Sequence, residues 1–437
     1  MDAPPAFLPS TPAELAQRGW DALDIILVSG DAYLDTPFSG IALVGRALEA
    51  QGFRVGVIAQ PAVDGMDDIR RLGSPRLFWG VSAGSVDSMV ANYTASGKPR
   101  RLDDFTPGGI NNRRPDRATI VYANLIRRAF RPCAPIILGG IEASLRRIAH
   151  YDFWGHTVRR SILLDAKADA LVYGMGERTT LALARHLRDG TDWHSLPGIC
   201  HAAAAPPPGA LELPPYDAVR GAATAGDDAA GMASRQAFLQ MTRDFLDNQE
   251  WRTARPLVQR HEQRWLIHNP PAEPLSPEQL DAVHRLPFQR EAHPYDAARG
   301  EIRALDTIRF AMTTHRGCYG SCNFCAIAAH QGREVRSRSA SAILDEARDL
   351  TRHARFRGVI SDVGGPTANM YGFGCAVMTA RGPCPDRRCL TPECCPRLRP
   401  DHGPLTRLLE QMRQLPGIRH VFVGSGIRHD LVEADRQ

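Results

Sequence analysis

Apolar and polar residues alternate in blocks along the first half of the chain. Five almost continuous apolar runs, each followed by a turn rich in Gly, Ser or acidic residues, cover 24–29, 53–59, 76–82, 134–140 and 168–174. Such runs are typical of strands buried on both faces of a parallel sheet. Segments with helical periodicity lie between or after them, at 39–52, 116–130 and 177–190. After a lead-in over 1–20, the pattern predicts a doubly wound, Rossmann-like α/β domain over 21–200.

The pattern weakens after this domain and then resumes. Residues 201–300 are rich in Ala, Gly and Pro and predict a linker and wrapping segment, with a helix over 234–249 and another that begins after Ser276. Residues 301–437 form a second α/β pattern, in which we expect the first βα units of a partial barrel. Its predicted strands and helices cover 307–314, 339–353, 356–363, 404–417 and 418–428.

Composition and charge narrow the function classes. The chain is 43% hydrophobic and has no N-terminal basic and apolar signal sequence. No apolar run reaches the roughly 18 residues of a membrane span. We therefore expect a cytoplasmic protein without a membrane partner. The net charge of +5 permits an RNA partner without indicating one, since the most basic stretch, 100–117, also carries acidic residues.

Ten cysteines in a reducing compartment require an explanation other than disulfides. Cys133 and Cys200 stand alone and are interpreted as small buried apolar residues. The other eight lie between Cys318 and Cys395. That crowding indicates metal chemistry.

The first three of these cysteines, Cys318, Cys322 and Cys325, have the spacing C-x3-C-x2-C directly after a predicted strand. A zinc site would need a fourth ligand, which His315 could supply. A 4Fe–4S cluster would use the three thiolates and leave one iron open for a substrate. The position at the carboxyl end of a strand, where α/β proteins place active sites, favours the cluster.

A second group of cysteines lies in a Pro- and Arg-rich stretch with too few apolar residues for a core of its own. It consists of Cys375, Cys384, Cys389, Cys394 and Cys395. Four thiolates make a coordinatively closed site, for which we expect a structural or electron-relay role. A structural zinc, an auxiliary iron–sulfur cluster and free thiols all remain open.

The three-cysteine spacing, with Phe324 before its last cysteine, resembles that of the radical S-adenosylmethionine (SAM) superfamily. The resemblance implies that SAM binds the open iron and that an external electron donor drives its cleavage to a 5′-deoxyadenosyl radical. It also implies that Phe324 lies near the adenine and that Gly364, Gly365 and Pro366 contact the SAM amino group. Ser425 and Arg428 would hold the ribose or the carboxylate. Ordinary turn chemistry is the alternative for the last two segments.

Several longer stretches resemble the YgiQ-type radical SAM proteins, from about residue 20 to the end. They include VSGDAYLDTPFSG, GSVDSMVANYT, RPDRATIVYANLIRRAF, GGIEASLRRIAHYDFW, VRRSILLDAKADALVYGMGE, HNPPAEPLS, MTTHRGCYGSCNFCAIAAHQGREVRSRS, SDVGGPTANMYG and GSGIRHDL. The resemblance implies a cofactor class and no particular substrate. It assigns Cys395, with Cys375, Cys384 and Cys389, to the second metal site and leaves Cys394 as an extra thiol.

Two departures from that family bear on the cofactors. The N-terminal domain resembles a cobalamin-binding domain, but Thr36 stands where the family typically has a histidine, so we expect no cobalamin. The barrel pattern stops after three strands, which leads us to expect a truncated barrel. Two alternatives to a radical SAM enzyme of unknown substrate are a non-catalytic iron–sulfur or zinc binding module and a methylthiotransferase-like RNA modifier. The scarcity of N-terminal cysteines counts against the latter.

Overall fold

The computed structural model describes residues 7–224, 226, 228–384 and 387–435. The chain divides into two compact units. Unit 1 comprises Met1–Glu273 and Glu291–Arg303, and unit 2 comprises Pro274–Arg290 and Ala304–Gln437. The boundary therefore differs from the single division expected near residue 300, because 274–290 belongs with the second unit.

Unit 1 is built on a nine-stranded sheet. The strands of unit 1 are β1 (Ile25–Ser29), β2 (Leu34–Asp35), β3 (Val55–Ala59), β4 (Phe78–Ser82), β5 (Ile136–Leu138), β6 (His150–Asp152), β7 (Thr157–Arg159), β8 (Ala170–Val172), β9 (Ile199–Ala203), β10 (Leu211–Leu213), β11 (Leu257–His261), β12 (Arg264–His268) and β13 (Glu291–Ala292). Its first helices are α1 (Pro12–Gln17), α2 (Gly40–Glu49), α3 (Asp67–Arg70), α4 (Ser88–Asn92) and α5 (Ala118–Ala129). They are followed by α6 (Gly140–Leu145), α7 (Ile162–Asp165), α8 (Glu177–Asp189), α9 (Tyr216–Val219) and α10 (Ala229–Asp247).

Five parallel strands of the sheet lie in the order β3-β1-β4-β5-β8. They are the five apolar runs of the sequence, and β1, β3, β5 and β8 are buried at every residue. The chain order reverses between β1 and β4, which is where open α/β sheets of this order form a ligand crevice. The predicted N-terminal sheet is present as a mixed α/β fold with a large parallel sheet.

The stretch expected to be a linker instead extends this sheet. Strands β9 and β12 pair antiparallel, β12 pairs antiparallel with β11, and β11 pairs parallel with β10. The expectation failed because these strands are short and mix apolar with polar residues. Burial against α10 and the neighbouring strands, rather than continuous apolarity, accounts for them.

Unit 2 contains shorter strands and amphipathic helices. Its strands are β14 (Ala311–Thr313), β15 (His315–Arg316), β16 (Arg336–Ser337), β17 (Val359–Ile360), β18 (Asp362–Gly364) and β19 (His420–Val421). Its helices are α11 (Pro277–His284), α13 (Ala304–Ile308), α14 (Ile327–Gln331), α15 (Ala340–Leu350), α16 (Ala376–Arg381), α17 (Gly403–Arg413) and α18 (His429–Ala434). The intervening helix α12 (Pro294–Ala297) belongs to unit 1.

The strands of unit 2 are paired as separate short ladders. Strand β14 pairs parallel with β18, and β17 pairs parallel with β19. The strand expected over 307–314 is shorter than predicted because its first residues form α13. Met312, Ile343, Ile360 and Leu408 join the core between these ladders and the helices α15 and α17. The parallel pairing agrees with βα units, whereas a closed or truncated barrel remains a prediction.

Among the helices of the described residues, none has both the length and the apolar character needed to cross a lipid bilayer.

Candidate functional site

The three-cysteine loop lies between β15 and α14 in unit 2. The strands β15 and β16 pair antiparallel and close the base of the loop. Gly317 enters the loop with φ +84°, and a Cβ on it would lie 2.0 Å from the carbonyl oxygen of Glu334. Its backbone N–H donates to the side chain of Gln331 at 3.1 Å. Only glycine fits at position 317, and its backbone conformation sets the direction in which the loop leaves β15.

Two of the three thiols of the loop lie close to Gly320. A Cβ on Gly320 would lie 3.3 Å from Cys318 Sγ and 3.6 Å from Cys322 Sγ. The N–H of Cys325 donates to the carbonyl oxygen of Cys322 at 3.1 Å, so these two residues share a turn. All three thiols are free and partly exposed. The chemistry of this donor set fits the thiolate-rich ligation of an iron–sulfur cluster.

Arg428 lies against this loop. Its Nη1 is 3.4 Å from Cys322 Sγ, and its guanidinium also pairs with Asp430. The hydrogen bond to Asp430 raises the pKa of Arg428. The backbone N–H of Arg428 donates to Asn369 Oδ1 at 2.9 Å. A permanent cation is therefore held beside one of the predicted ligand sulfurs.

Phe324 lies next to Cys325 and is 92% exposed. Its ring has none of the aromatic contacts found elsewhere in the described residues. Placement near an adenine, expected from the resemblance, therefore remains a prediction.

The glycine pair Gly364–Gly365 follows β18 and lies against the residue that precedes the cysteine loop. Gly364 pairs with Thr313 of β14, and its carbonyl oxygen accepts from Thr314 N at 2.7 Å. A Cβ on Gly365 would lie 2.6 Å from the ring of His315. The two glycines therefore allow a close approach of backbone to His315, and Pro366 follows directly.

His315, the alternative zinc ligand, is fully buried. Its Nδ1 is 2.8 Å from the hydroxyl of Thr314, and its Nε2 has no partner in the part of the chain that is described. Burial lowers the pKa of His315 to about 4, so its ring is neutral near pH 7.

Ser425 is used in a turn. Its hydroxyl donates to Asp362 Oδ2 at 2.5 Å, and Asp362 Oδ1 also accepts from the N–H groups of Gly424 and Ser425 at 2.7 and 3.1 Å. This arrangement is the turn chemistry that the sequence left open. It leaves the Ser425 hydroxyl engaged within the chain.

The structure brings most of the second cysteine group together. Four of its cysteines pack in one cluster with Tyr319, and the N–H of Cys395 donates to the carbonyl oxygen of Cys389 at 2.8 Å. Burial raises the pKa of Cys389 and of Cys394, whereas a backbone hydrogen bond from Arg397 lowers that of Cys395. Cys384 is outside this cluster. Residues 385 and 386 are outside the described residues.

Within the described ranges, no group of three or more His, Cys, Asp or Glu side chains is arranged to hold a metal ion. This applies to both cysteine groups. The assignment of ligands at Cys318, Cys322, Cys325 and in the second group therefore stays a prediction. The chemistry of the thiols and their proximity along the chain support it, and no coordination sphere is formed among the described residues.

The crevice at the reversal of strand order in unit 1 is filled by the chain itself. Arg114 is fully buried and contacts Asp31 and Asp103 through Nη2 at 2.5 and 3.2 Å. A Cβ on Gly84 would lie 2.2 Å from Asp31 Oδ1. Burial raises the pKa of Asp31. Thr36 is also buried, and its hydroxyl, which accepts from Phe38 N, is no cobalt ligand.

A third polar cluster was not predicted from the sequence. Three arginines and two carboxylates line a small notch together with His150, which pairs with Arg159 in the hairpin formed by β6 and β7. Its residues come from three separate segments, 117–120, 142–150 and 159–165, so no compact spacing marks it in the sequence. The only indication is the repeated pairing of arginine with aspartate in RPDR, SLRRIAHYD and VRRSILLD.

Comparison with known proteins places the chain in a family. A family model described as Radical SAM N-terminal matches residues 7–311, a match that ends before Cys318. A UPF0313 protein of Fusobacterium nucleatum is 49% identical over 432 residues, which cover 99% of this chain and 74% of the relative. A UPF0313 protein of Thermotoga maritima is 49% identical over 437 residues, covering 98% and 74%.

Among solved structures, the radical SAM methyltransferase TsrM of Kitasatospora setae, with tryptophan and a SAM analogue bound, is 17% identical. Its TM-score is 0.42, over 78% of this chain and 47% of TsrM, so the chain spans about half the length of that enzyme. A second TsrM structure holds cobalamin and a [4Fe-4S] cluster. On the family model and the two relatives, the chain belongs to the UPF0313 proteins and to the Radical SAM N-terminal family.

Proposed function

We propose that the chain is a radical SAM enzyme in which Cys318, Cys322 and Cys325 bind three irons of a 4Fe–4S cluster. The observation that carries this proposal is the loop entered at Gly317, which presents three thiols outside any disulfide directly after the short antiparallel pair of β15 and β16. When bound, the cluster would supply an electron from an external donor to cleave SAM and generate a 5′-deoxyadenosyl radical. The substrate of that radical is not proposed.

The residues around the loop have distinct tasks in this proposal. Arg428, at 3.4 Å from Cys322 Sγ, offsets part of the negative charge that three thiolates would concentrate. Gly364 and Gly365 expose backbone atoms that a small polar ligand can approach closely. His315 stays neutral, which keeps a second positive charge away from the loop.

Ser425 and Arg428 keep their proposed places at the ribose or the carboxylate of SAM, and each also has a contact within the chain. The hydroxyl of Ser425 donates to Asp362, which orients the turn. Arg428 lies beside Cys322 Sγ of the cysteine loop. Phe324 and Pro366 keep their proposed places beside the SAM ligand.

We assign a structural or electron-relay site to the second group, with Cys375, Cys384, Cys389 and Cys395 as its thiolates. Zinc and an auxiliary iron–sulfur cluster are both compatible with four thiolates. Metal analysis of the isolated protein, with zinc, iron and sulfide measured per chain, distinguishes them.

The central test is anaerobic. The 437-residue chain is reconstituted with iron and sulfide, reduced and mixed with SAM, and 5′-deoxyadenosine is measured by mass spectrometry. We expect deoxyadenosine from the unmodified chain and none from Cys322→Ala, because a thiolate ligand is then missing. Cys133→Ala serves as the matched control, since Cys133 stands apart from both cysteine groups.

Each outcome of this test decides a point. Deoxyadenosine formation that survives Cys322→Ala would contradict the ligand assignment. A SAM-binding cluster without cleavage would favour the non-catalytic iron–sulfur module. Zinc alone at the three cysteines would overturn the proposal.

A further inference from the structure

A cysteine-rich segment, residues 373–384 and 387–395, packs against the three-cysteine loop, residues 318–325, within unit 2. Tyr319 of the loop is buried, and it joins one apolar cluster with four cysteines of the segment. Cys318, the first of the three loop cysteines, packs against the same cluster. The loop therefore places its one large buried side chain among the residues that carry the second cysteine group.

The hydroxyl of Tyr319 fixes the loop to the start of this segment. It donates to the carbonyl oxygen of Phe373 at 3.0 Å, and the centroids of the two rings lie 5.9 Å apart. A Cβ on Gly374 would lie 3.2 Å from the same hydroxyl, so the backbone of the segment passes close to it. Because Tyr319 directly follows Cys318, this contact restrains the first predicted ligand position.

Arg388 connects the segment to the middle of the loop. Its Nη1 donates to the carbonyl oxygen of Ser321 at 3.1 Å and to Oδ1 of Asn323 at 3.0 Å. Ser321 and Asn323 are the two neighbours of Cys322 in the chain. One guanidinium therefore restrains both sides of the second predicted ligand position, and it belongs to the residue just before Cys389.

Arg333 makes a third connection, from the chain that follows α14. Its Nη1 and Nη2 donate to the carbonyl oxygens of Cys384 and Arg387 at 3.5 and 3.1 Å. Its neighbour Gly332 accepts from the backbone N–H of Cys318 at 3.2 Å. Adjacent residues thus join the base of the loop to the cysteine-rich segment.

The loop has few backbone hydrogen bonds of its own. Between residues 318 and 325, only the N–H groups of Cys318 and Cys325 donate to backbone carbonyl oxygens of the described chain. Thiols that bind one metal centre must be held within a fraction of an ångström of their working positions. A backbone with so few internal bonds does not supply that order, so contacts from outside the loop must do so.

We propose that the cysteine-rich segment clamps the three-cysteine loop, with Arg388 as a positioning residue for the thiols of Cys318, Cys322 and Cys325. This inference rests on the proposed function, since the thiols that it positions are the assigned cluster ligands. It gives the second cysteine group a structural task. Any metal that holds the segment together also holds the loop that packs on it, because order in the two parts is coupled.

The first test reads the order of the loop without its cluster. In a full-length chain whose three loop cysteines are replaced by serine, purified anaerobically, hydrogen exchange is followed by mass spectrometry of peptides over 316–332. We expect Arg388→Gln to speed this exchange about fivefold or more, because two hydrogen bonds to the loop are lost. The control is Arg381→Gln, which removes an exposed arginine at the end of α16 that has no hydrogen bond to the loop in the described chain. It should change the exchange less than about twofold.

The second test measures how firmly the wild-type loop holds its iron. A chelator is added to the reconstituted chain, and the loss of the electron paramagnetic resonance signal that responds to SAM is timed, since only a cluster with an open iron responds. Arg388→Gln should lose this signal about fivefold faster or more. Arg388→Lys keeps a donor for the same oxygens and should lie closer to the wild type. Asn323→Ala should have a smaller effect that does not add to that of Arg388→Gln, because the two share one hydrogen bond.

Each outcome supports or overturns the clamp. Equal exchange over 316–332 with and without Arg388→Gln would overturn it, as would equal effects of Arg388→Gln and Arg381→Gln, which would reduce the effect to charge. An unchanged rate of iron loss in Arg388→Gln would overturn the positioning role. Faster exchange in Arg388→Gln alone, with a wild-type chain that takes up no iron, would support the clamp and contradict the radical SAM proposal. If circular dichroism shows that Arg388→Gln does not fold, the exchange of Asn323→Ala decides, since that side chain is exposed.

Discussion

At the residue scale, the glycines that precede the cysteine loop and follow α14 have similar φ angles and different surroundings. Gly317 and Gly332 have φ of +84° and +92°. A Cβ on Gly317 would lie 2.0 Å from the Glu334 carbonyl oxygen, whereas one on Gly332 would meet nothing within 4 Å. Alanine substitutions at these two glycines therefore separate the effect of a positive φ from the effect of a steric clash.

We expect Gly317→Ala to lose most of the iron that the chain binds after reconstitution, because the clash must displace the loop from the strand. Gly332→Ala should keep its iron and lose about 1–3 kcal/mol of stability through backbone strain. Iron and sulfide per chain, with thermal unfolding of both variants, make the comparison. Equal iron loading would show that the entry to the loop does not depend on Gly317.

The sequence predicted the cysteine loop because the three thiols are neighbours along the chain. The spacing of Cys318, Cys322 and Cys325 is visible in eight residues. The turn role of Ser425 and the position of Arg428 beside Cys322 were not predictable in this way. They depend on contacts with Asp362 and Cys322, which are 63 and 106 positions away.

At the element scale, α11 shows how a short helix is defined by its ends. Ser276 accepts from Gln279 N at 3.2 Å, and Gln279 Oε1 accepts from Ser276 N at 3.1 Å, which completes a capping box. The helix delivers Asp281, whose carboxylate accepts from Arg338 at 3.3 Å and from Ser339 Oγ at 2.6 Å. The cap therefore supports a buried ion pair of unit 2.

We expect Ser276→Ala to lower the free energy of unfolding by about 1 kcal/mol, the usual effect of losing such a cap. Ser341→Ala, at an exposed position near the start of α15, should have less than about half that effect. Urea denaturation monitored by circular dichroism measures both. Matching losses in the two variants would mean that the capping box contributes nothing of its own.

Elements with continuous apolar runs were predictable, and elements that depend on partners were not. The strands β1, β3, β4, β5 and β8 follow from sequence because both of their faces are covered. Strands β9 to β12 were missed because polar residues such as Gln259, His261 and His268 are buried in them among the apolar ones. Their pairing depends on neighbours far along the chain.

At the scale of the whole molecule, buried neutral histidines make stability depend on pH. Burial lowers the pKa of His261 to about 4, below its ordinary value of 6.5. His150 and His315 are shifted in the same direction, each to about 4. The unfolded chain therefore binds more protons than the folded chain between these values, so stability is present above pH 6.5 and is lost as the pH falls toward 4.

We expect the free energy of unfolding to fall between about pH 6.5 and about pH 4.5, by at most about 1.4 kcal/mol per pH unit for each such histidine. His261→Gln should reduce that slope, whereas replacement of the exposed His420 by Gln should not. Denaturation series at several pH values give the slopes. A slope that is identical in all three proteins would contradict the assignment to His261.

The division of the chain into two units limits where the polypeptide can be cut into fragments. The backbone leaves the first unit at Glu273, returns at Glu291 and leaves again after Arg303. A fragment that began at Ala304 would lack α11. The fully buried Arg338 would then lose its ion pair with Asp281 and keep only the one with Glu346. A fragment that ended at Glu273 would lack β13 and, with it, the partner of β2. No single cut leaves both units with all of their own residues, so we expect a fragment of either unit to be stable only if it is rejoined across the exchanged segment.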